Sequence, residues 1–422
     1  MLSTLKKPAH LRRDFLASLV VFLVALPLCV GVAVASGVPA ELGLVTGIVG
    51  GLVVGCLPGS SLQVSGPAAG LTVLVFEAVW EFGLGALGAV VLLSGLAQLA
   101  LGAFRFGRFF RAITVAVVQG MLAGIGLVLI FGQLYTMADV EQPRSGLGKI
   151  VGMPRLATEI ASTGTVLTSF AVGAATISVL VLWKRLPAKV QAVPAPLAAV
   201  ALAIAVTAAA DWSVPRVDVR GLLAAIQPPG LSDFAALGSL AAVGTVIAFA
   251  LIASAESLFS AAAVDRMHDG RRTDYDKELM AQGAGNAICG VLGALPLTAV
   301  IVRSAANVQA GARTKLSRVL HGLWLVLFAA LLPAAIGVIP LAALAGVLVH
   351  AGCKLIPAKD LLALWRYHRG EALVLAATAI AIIVTNMFEG VLLLRFSGCR
   401  RVVTVHDPCG MPVVCVIRRV GA

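Results

Sequence analysis

The chain has 422 residues, of which 59% are hydrophobic and only 12% charged, with a mean hydropathy of +1.00. Soluble domains carry about twice that share of charge, so a water-soluble fold of this size would lack the polar residues to cover itself, and disorder, a coiled coil and a soluble nucleic-acid binder are excluded. The formal charge of +12 lies in the short gaps between apolar runs, where it reads as a topology signal, and no nucleic-acid partner is expected.

A helix needs about 20 apolar residues to cross about 30 Å of hydrocarbon. Thirteen apolar runs cover roughly 15–35, 42–57, 67–80, 82–104, 112–134, 162–183, 190–210, 234–264, 279–296, 299–311, 319–337, 338–353 and 372–388. They predict an all-α polytopic protein embedded in a lipid bilayer. Residues 1–14 form a basic N-terminal segment, and the first run, Phe15 to Ala35, exceeds the apolar stretch of a signal peptide and reads as an uncleaved span. With the N-terminus in the cytoplasm, the inside segments hold 21 Lys and Arg, among them Arg313, Lys315 and Arg318, against 5 outside, among them Lys149. That asymmetry predicts a cell inner-membrane protein with a cytoplasmic N-terminus.

Glycines 43, 47, 51 and 55 recur on one face of the second run and predict close approach of a neighbouring helix. Two runs are too short to span: the third, Pro67 to Trp80, and the tenth, Ala299 to Gly311. Each follows an extended stretch. In LQVSGPAAG, Leu62 to Ser65 lead to Gly66 and to Pro67, favoured at the first helical position. In LPLTAVIVRSAANVQAG, Pro296 ends the preceding helix and Thr298 to Val302 lead to Arg303 and Ser304. Non-helical backbone at mid-membrane is tolerated only where it is buried or lines a cavity, and two breaks in corresponding positions of two halves point to a transporter binding site. Facing helix N-termini would draw an anion, with Ser65 and Thr298 hydroxyls adding directional bonds.

Glu256 is the one acidic residue well inside a long run, the eighth. A carboxylate at that depth costs about 2.5–3.5 kcal/mol on insertion scales and by default has a function. Ser260 lies one turn on, on the same face, and the pair suits H⁺ or Na⁺. Arg303, always charged, is the basic counterpart and forms an anion site beside a helix N-terminus; an ion pair with Glu256 serving only stability is the alternative. Glu77 and Glu81 read as interfacial, as do the six histidines. The seven cysteines show no paired spacing, and no metal site, phosphate loop or nucleophile elbow stands out, so an enzyme, an ATP-driven pump and a cofactor beyond a coupling ion are not expected.

Over roughly residues 10–390 the chain resembles the sulfate permease (SulP) family of inorganic anion transporters. The resemblance is carried by LRRDFLASL, ASGVPAELGLVTGIVGGL, GSSLQVSGPAAGLT, AESLFSAAAVDRMHDGRRTDYDKELMAQGAGN and GALPLTAVIVRSAANVQAGARTKLS. It implies a seven-plus-seven inverted-repeat fold with discontinuous third and tenth spans. Residues 15–390 would form the transporter domain, with a core (about 15–104 and 234–337) moving against a gate (about 112–210 and 338–390). It further implies an anion site at Val32, Ser65, Gly66, Pro67, Ala68, Ile301, Val302 and Arg303, and a coupling site at Glu256 with Ser260, Thr298 and Ala299. Sodium-coupled bicarbonate members tend to have Asp at the Glu256 position, which leaves Na⁺ against H⁺ open. Leu28 replaces a Gln common in sulfate-type members, and LPL resembles a subgroup found near carbonic anhydrase. The implied partner is a small inorganic anion, sulfate or bicarbonate, and a homodimer is compatible. After Gly390 the sequence departs from the family: the fourteenth span reads as incomplete, 391–422 is an atypical tail without a STAS domain, and the departure reads as an altered frame near residue 391. The alternatives are a nucleobase or ascorbate permease of the same fold, disfavoured by Arg303, and a passive anion channel or inactive truncated transporter.

Overall fold

The structure, a computed structural model, describes residues 8–107, 115–357 except 144, 192 and 220, then 361, 365, 366, 369–384, 402–406 and 412–416. The chain is predominantly helical. In order it forms α1 (Pro8–Ala35), α2 (Ala40–Val49) continued by a π-helical turn over Gly50–Val54, and β1 (Ser65–Pro67). A 3₁₀ turn at Ala69–Leu71 then leads into α3 (Thr72–Ala103). α4 (Val115–Met137), two short helices α5 (Gly146–Val151) and α6 (Met153–Ser162), α7 (Gly164–Leu182) and α8 (Ala195–Ala209) follow. The remainder comprises α9 (Leu240–Asp265), α10 (Tyr275–Val291), β2 (Leu297–Ala299), α11 (Ile301–Gln309), α12 (Leu316–Leu331), α13 (Leu341–Leu355) and α14 (Arg369–Val384). A hairpin of β3 (Val402–His406) and β4 (Pro412–Val416) lies in the C-terminal tail. Among the described residues, five helical stretches, built on α1, α3, α4, α7 and α9, are long and apolar enough to cross a membrane, and α2 with its π turn, α8, α12 and α13 are shorter apolar helices.

The third and fourth apolar runs differ from their reading as separate elements. They form one continuous helix, α3, broken only at Gly83, whose φ of 84° and ψ of 164° suit glycine alone. The incomplete fourteenth span, read at Val391 to Leu394, falls outside the described residues.

Packing separates the helices into two groups. α10 runs along α3, and α1 packs on α2, α11 and α12; α4, α7, α13 and α14 pack on one another, and α1 reaches across to α8 and α13. The glycine stripe of α2 explains how tightly the first group closes. A Cβ at Gly43 would run into the Cys29 carbonyl of α1, and one at Gly51 into the Gly322 backbone of α12.

Arg318 departs from its reading as a cytoplasmic loop cation. It is 2% exposed and lies within α12. Its guanidinium donates to the carbonyls of Gly55 (3.0 Å), Gln63 (3.1 Å), Val54 and Leu57 (both 3.2 Å). Val54, Gly55 and Leu57 lie where the helix ends after the π turn and Gln63 lies just before β1, so the cation closes a helix C-terminus and fixes the path of the chain toward β1; Val54 also accepts the Leu57 N–H and Leu57 also accepts from Lys315 Nζ. Replacing Arg318 by Met removes that charged donor from all four carbonyls. We expect a loss of about 3 kcal/mol, the upper range for hydrogen bonds to a charged group, read as a lower Tm of the purified protein; an unchanged Tm would contradict this role.

Candidate functional site

β1 and β2, more than two hundred residues apart in sequence, form an antiparallel ladder with Ser65 opposite Ala299, Gly66 opposite Thr298 and Pro67 opposite Leu297. The Val300 N–H extends it to the Val64 carbonyl at 2.9 Å. Each strand leads directly into a helix, β1 into the 3₁₀ turn and α3, β2 into α11. Because the strands run in opposite directions, both helices turn their N-termini toward the ladder, with caps about 14 Å apart for four residues of strand. The caps are Ala68 and Val300, and neither makes a side-chain hydrogen bond to its helix. The first N–H groups of both helices therefore have no intrahelical partner and carry the positive ends of two dipoles.

Two details of the sequence reading are corrected. Pro67 does not open a helix; it is the last residue of β1, its fixed φ serving extended backbone. The extended stretch at the tenth run ends at Ala299, so Ile301 and Val302 are the first helical residues. Both are partly exposed at 39% and 41%, whereas Val32, Ser65, Pro67 and Ala68 are buried.

Arg303, the third residue of α11, is fully buried. Its Nη2 donates to the Pro67 carbonyl at 3.2 Å, while Nε and Nη1 have no hydrogen-bond partner. No salt bridge joins it to Glu256, so the purely stabilising ion pair is absent. The Cys29 thiol and the His321 ring lie within electrostatic reach. His321 is itself fully buried in α12, with neither ring nitrogen hydrogen-bonded, and is not interfacial. Gly66 makes the approach of Arg303 possible, since a Cβ there would run into its Nη1. Directly opposed residues of an antiparallel pair project to the same face, so the guanidinium and Thr298 share a face of the ladder.

Glu256 is set against the other helix start. A Cβ at Gly70, in the 3₁₀ turn before α3, would lie 2.7 Å from the Glu256 Oε1. Thr298 is its neighbour from β2. Glu256 Oε2 and Thr298 Oγ1 are both buried and have no partner in good hydrogen-bond geometry, although the Thr298 hydroxyl is near enough to the carboxylate to interact with it. Two adjacent oxygens in this condition can share a proton or help ligate a hard cation. Ser260, one turn on, is buried at 1%, and the Ala299 N–H donates to Ser257 Oγ at 3.2 Å. Among the described residues no group of three or more His, Cys, Asp or Glu is placed to hold a metal ion.

A polar scaffold not read from the sequence holds the ladder. On α10, Glu278, Gln282 and Asn286 fall at four-residue intervals on one face. Glu278 Oε2 accepts from the Ser60 N–H at 2.7 Å, and Gln282 Nε2 donates to Ser65 Oγ and to Glu278 Oε1, both at 2.7 Å. Asn286 binds both backbone groups of Leu297 and donates to Gln98 Oε1 at 2.6 Å; Gln98 passes to Ser254 Oγ at 3.1 Å. From α11, Ser304 Oγ accepts the Val64 N–H and Asn307 Nδ2 donates to the Leu62 carbonyl, both at 2.9 Å. The four-residue spacing on α10 was the available signal, inside the block AESLFSAAAVDRMHDGRRTDYDKELMAQGAGN.

Comparison with known proteins bears on this geometry. The model of the sulfate permease family matches residues 11–378. The chain belongs to the sulfate permease family. The family is one of transporters, not enzymes. Among relatives, the chain is 27% identical over 393 residues to "Putative sulfate transporter YvdB" of Bacillus subtilis, covering 91% of this chain and 73% of that one. It is 26% identical over 371 residues to the bicarbonate transporter BicA of Synechocystis, covering 82% of this chain and 62% of the relative, so it spans less than two thirds of that protein. The transmembrane domain of a cyanobacterial bicarbonate transporter BicA shares the fold, with a TM-score of 0.80 at 22% identity, covering 91% of this chain and 98% of that domain.

The contact at Gly66 yields a direct expectation. Gly66→Ala drives a methyl group into the Arg303 guanidinium and displaces it from the ladder. The concentration of sulfate or bicarbonate giving half-maximal thermal stabilisation of the purified protein should rise at least about tenfold, the equivalent of 1.4 kcal/mol; an unaltered midpoint would show that Arg303 does not need this position.

Proposed function

We propose that the protein is a secondary active transporter that carries a small inorganic anion, bicarbonate or sulfate, across the cytoplasmic membrane by alternating access, driven by H⁺ or Na⁺. The observation that carries this reading is the ladder: two uncapped helix N-termini and a buried guanidinium with two unpaired N–H positions share it. A permanent cation held out of water without a carboxylate costs several kcal/mol. An anion near Arg303 offsets that cost, and the helix dipoles add to its attraction.

In this reading Val32, Ser65 to Ala68 and Ile301 to Arg303 surround the anion. Backbone dipoles and one guanidinium discriminate charge sign and size, so they accept a planar or a tetrahedral oxyanion. Glu256, with Ser260, Thr298 and Ala299, is the coupling site. A charged carboxylate beside the start of α3 competes with the anion for the same positive field, whereas a protonated or Na⁺-bound Glu256 does not. Cation and anion then load together, which is the requirement of symport. The helices around the ladder form the core, and α4, α7, α8, α13 and α14 form the gate against which it moves. The N-terminus lies in the cytoplasm, and the protein assembles as a homodimer.

Uptake of labelled sulfate and bicarbonate into proteoliposomes, with and without a Na⁺ or pH gradient, tests the proposal. We expect gradient-dependent accumulation of one anion, its loss in Glu256→Gln, and a KM raised tenfold or more in Arg303→Ala with accumulation retained at saturating anion. Wild-type uptake by both variants would overturn the assignment of these residues.

A further inference from the structure

Lys149 entered the sequence reading only as an outside-loop cation, yet it is 4% exposed. It lies on α5, in the connection between α4 and α7. Its backbone is rooted in the second packing group: the Tyr135 hydroxyl of α4 donates to its carbonyl at 3.0 Å, and Ser145 Oγ caps α5 by accepting from the Gly148 N–H at 3.0 Å. Its Nζ lies beside Gly132 of α4, as does Gln142 Oε1. The ammonium itself ends on the first group, 5.1 Å from the centroid of the Phe76 ring of α3. Glu77, the next residue of α3, is within electrostatic reach, with Glu81 beyond it. Phe76 in turn packs against Gly37 in the turn joining α1 to α2. Burial pushes the Lys149 ammonium down to about 8, and the Glu77 charge opposes that shift.

A single long side chain thus spans the boundary between the groups, on the side of the membrane where α1 ends, and there α3 and α4 otherwise touch only lightly. An aromatic face and a carboxylate both favour a cation, and both lose it if the groups separate. We propose that Lys149 is a latch that keeps this side of the anion site closed, and that the site opens outward only when Lys149 leaves Phe76 and Glu77. The latch rests on the alternating-access reading but does not depend on which anion is carried.

The test uses the full chain in cells, with a cysteine placed at Val302, which is partly exposed at the start of α11, and a membrane-impermeant methanethiosulfonate added outside. We expect Lys149→Ala and Lys149→Glu to raise the labelling rate of that cysteine at least about fivefold, as expected for loss of one such contact. Lys149→Arg should stay near wild type, and the charge-exchanged pair Lys149→Glu with Glu77→Lys should return toward it. If Lys149→Ala fails to reach the membrane, Lys149→Gln gives the same reading, because it keeps most of the stem and removes the charge. Labelling that is unchanged in the Ala, Gln and Glu variants would overturn the latch. Since labelling requires no transported anion, a latch effect without uptake by the wild type would sink the transport reading and leave the latch standing.

Discussion

The structure depends on one electrostatic constraint: a guanidinium that cannot lose its charge is held fully out of water, with no carboxylate paired to it and one backbone carbonyl as its hydrogen-bond acceptor. Nothing apolar can replace what such a group needs. The surrounding architecture supplies it with two helix starts whose dipoles have the same sign, which makes the local field more positive still. A soluble protein would relieve this with water. In a bilayer, on the reading proposed above, the same arrangement would be relieved by an anion, and the chain belongs to the sulfate permease family.

Holding two interrupted helices at that place is a separate physical problem, because three-residue strands are not stable alone. The solution is a set of amide side chains. Asn286 binds both polar backbone groups of Leu297, Gln282 reaches Ser65, and Ser304 and Asn307 bind the chain before β1. Every backbone group so bound is one that would otherwise be unpaired in a low-dielectric interior. Arg318 performs the same service at the end of the π turn, and Asp14 does so for the chain entering α12, accepting from the Arg313 and Thr314 N–H groups at 2.7 and 3.1 Å. Many of the polar residues at the centre thus serve the backbone, whereas Arg303, Glu256 and Thr298 are among those that keep unpaired atoms at the ladder.

Much of this was legible in the sequence because bilayer thickness sets run length. The long apolar runs, the two short ones and the isolated Glu256 and Arg303 all follow from that single scale. The pairing of β1 with β2 was not legible as a ladder, since a Ser-Gly-Pro strand carries no alternation and its partner lies far along the chain. Helix starts were displaced by two or three residues for the same reason: Pro67 suits extended backbone as well as a first helical turn. Arg318 and Lys149 were read as loop cations because each stands at the margin of an apolar segment, where sequence cannot separate a solvated charge from a buried one. Gln282 and Asn286 were missed because neutral amides leave hydropathy almost unmarked.

The most direct measurement of the central claim is an experimental structure with selenate bound, using the anomalous signal of selenium to locate the anion. A peak is expected over the β1–β2 ladder, within hydrogen-bond reach of the Arg303 guanidinium or the first N–H groups of the two helices. A selenate peak at saturating concentration that lies elsewhere, or a ladder that binds none while the protein still transports, would contradict it.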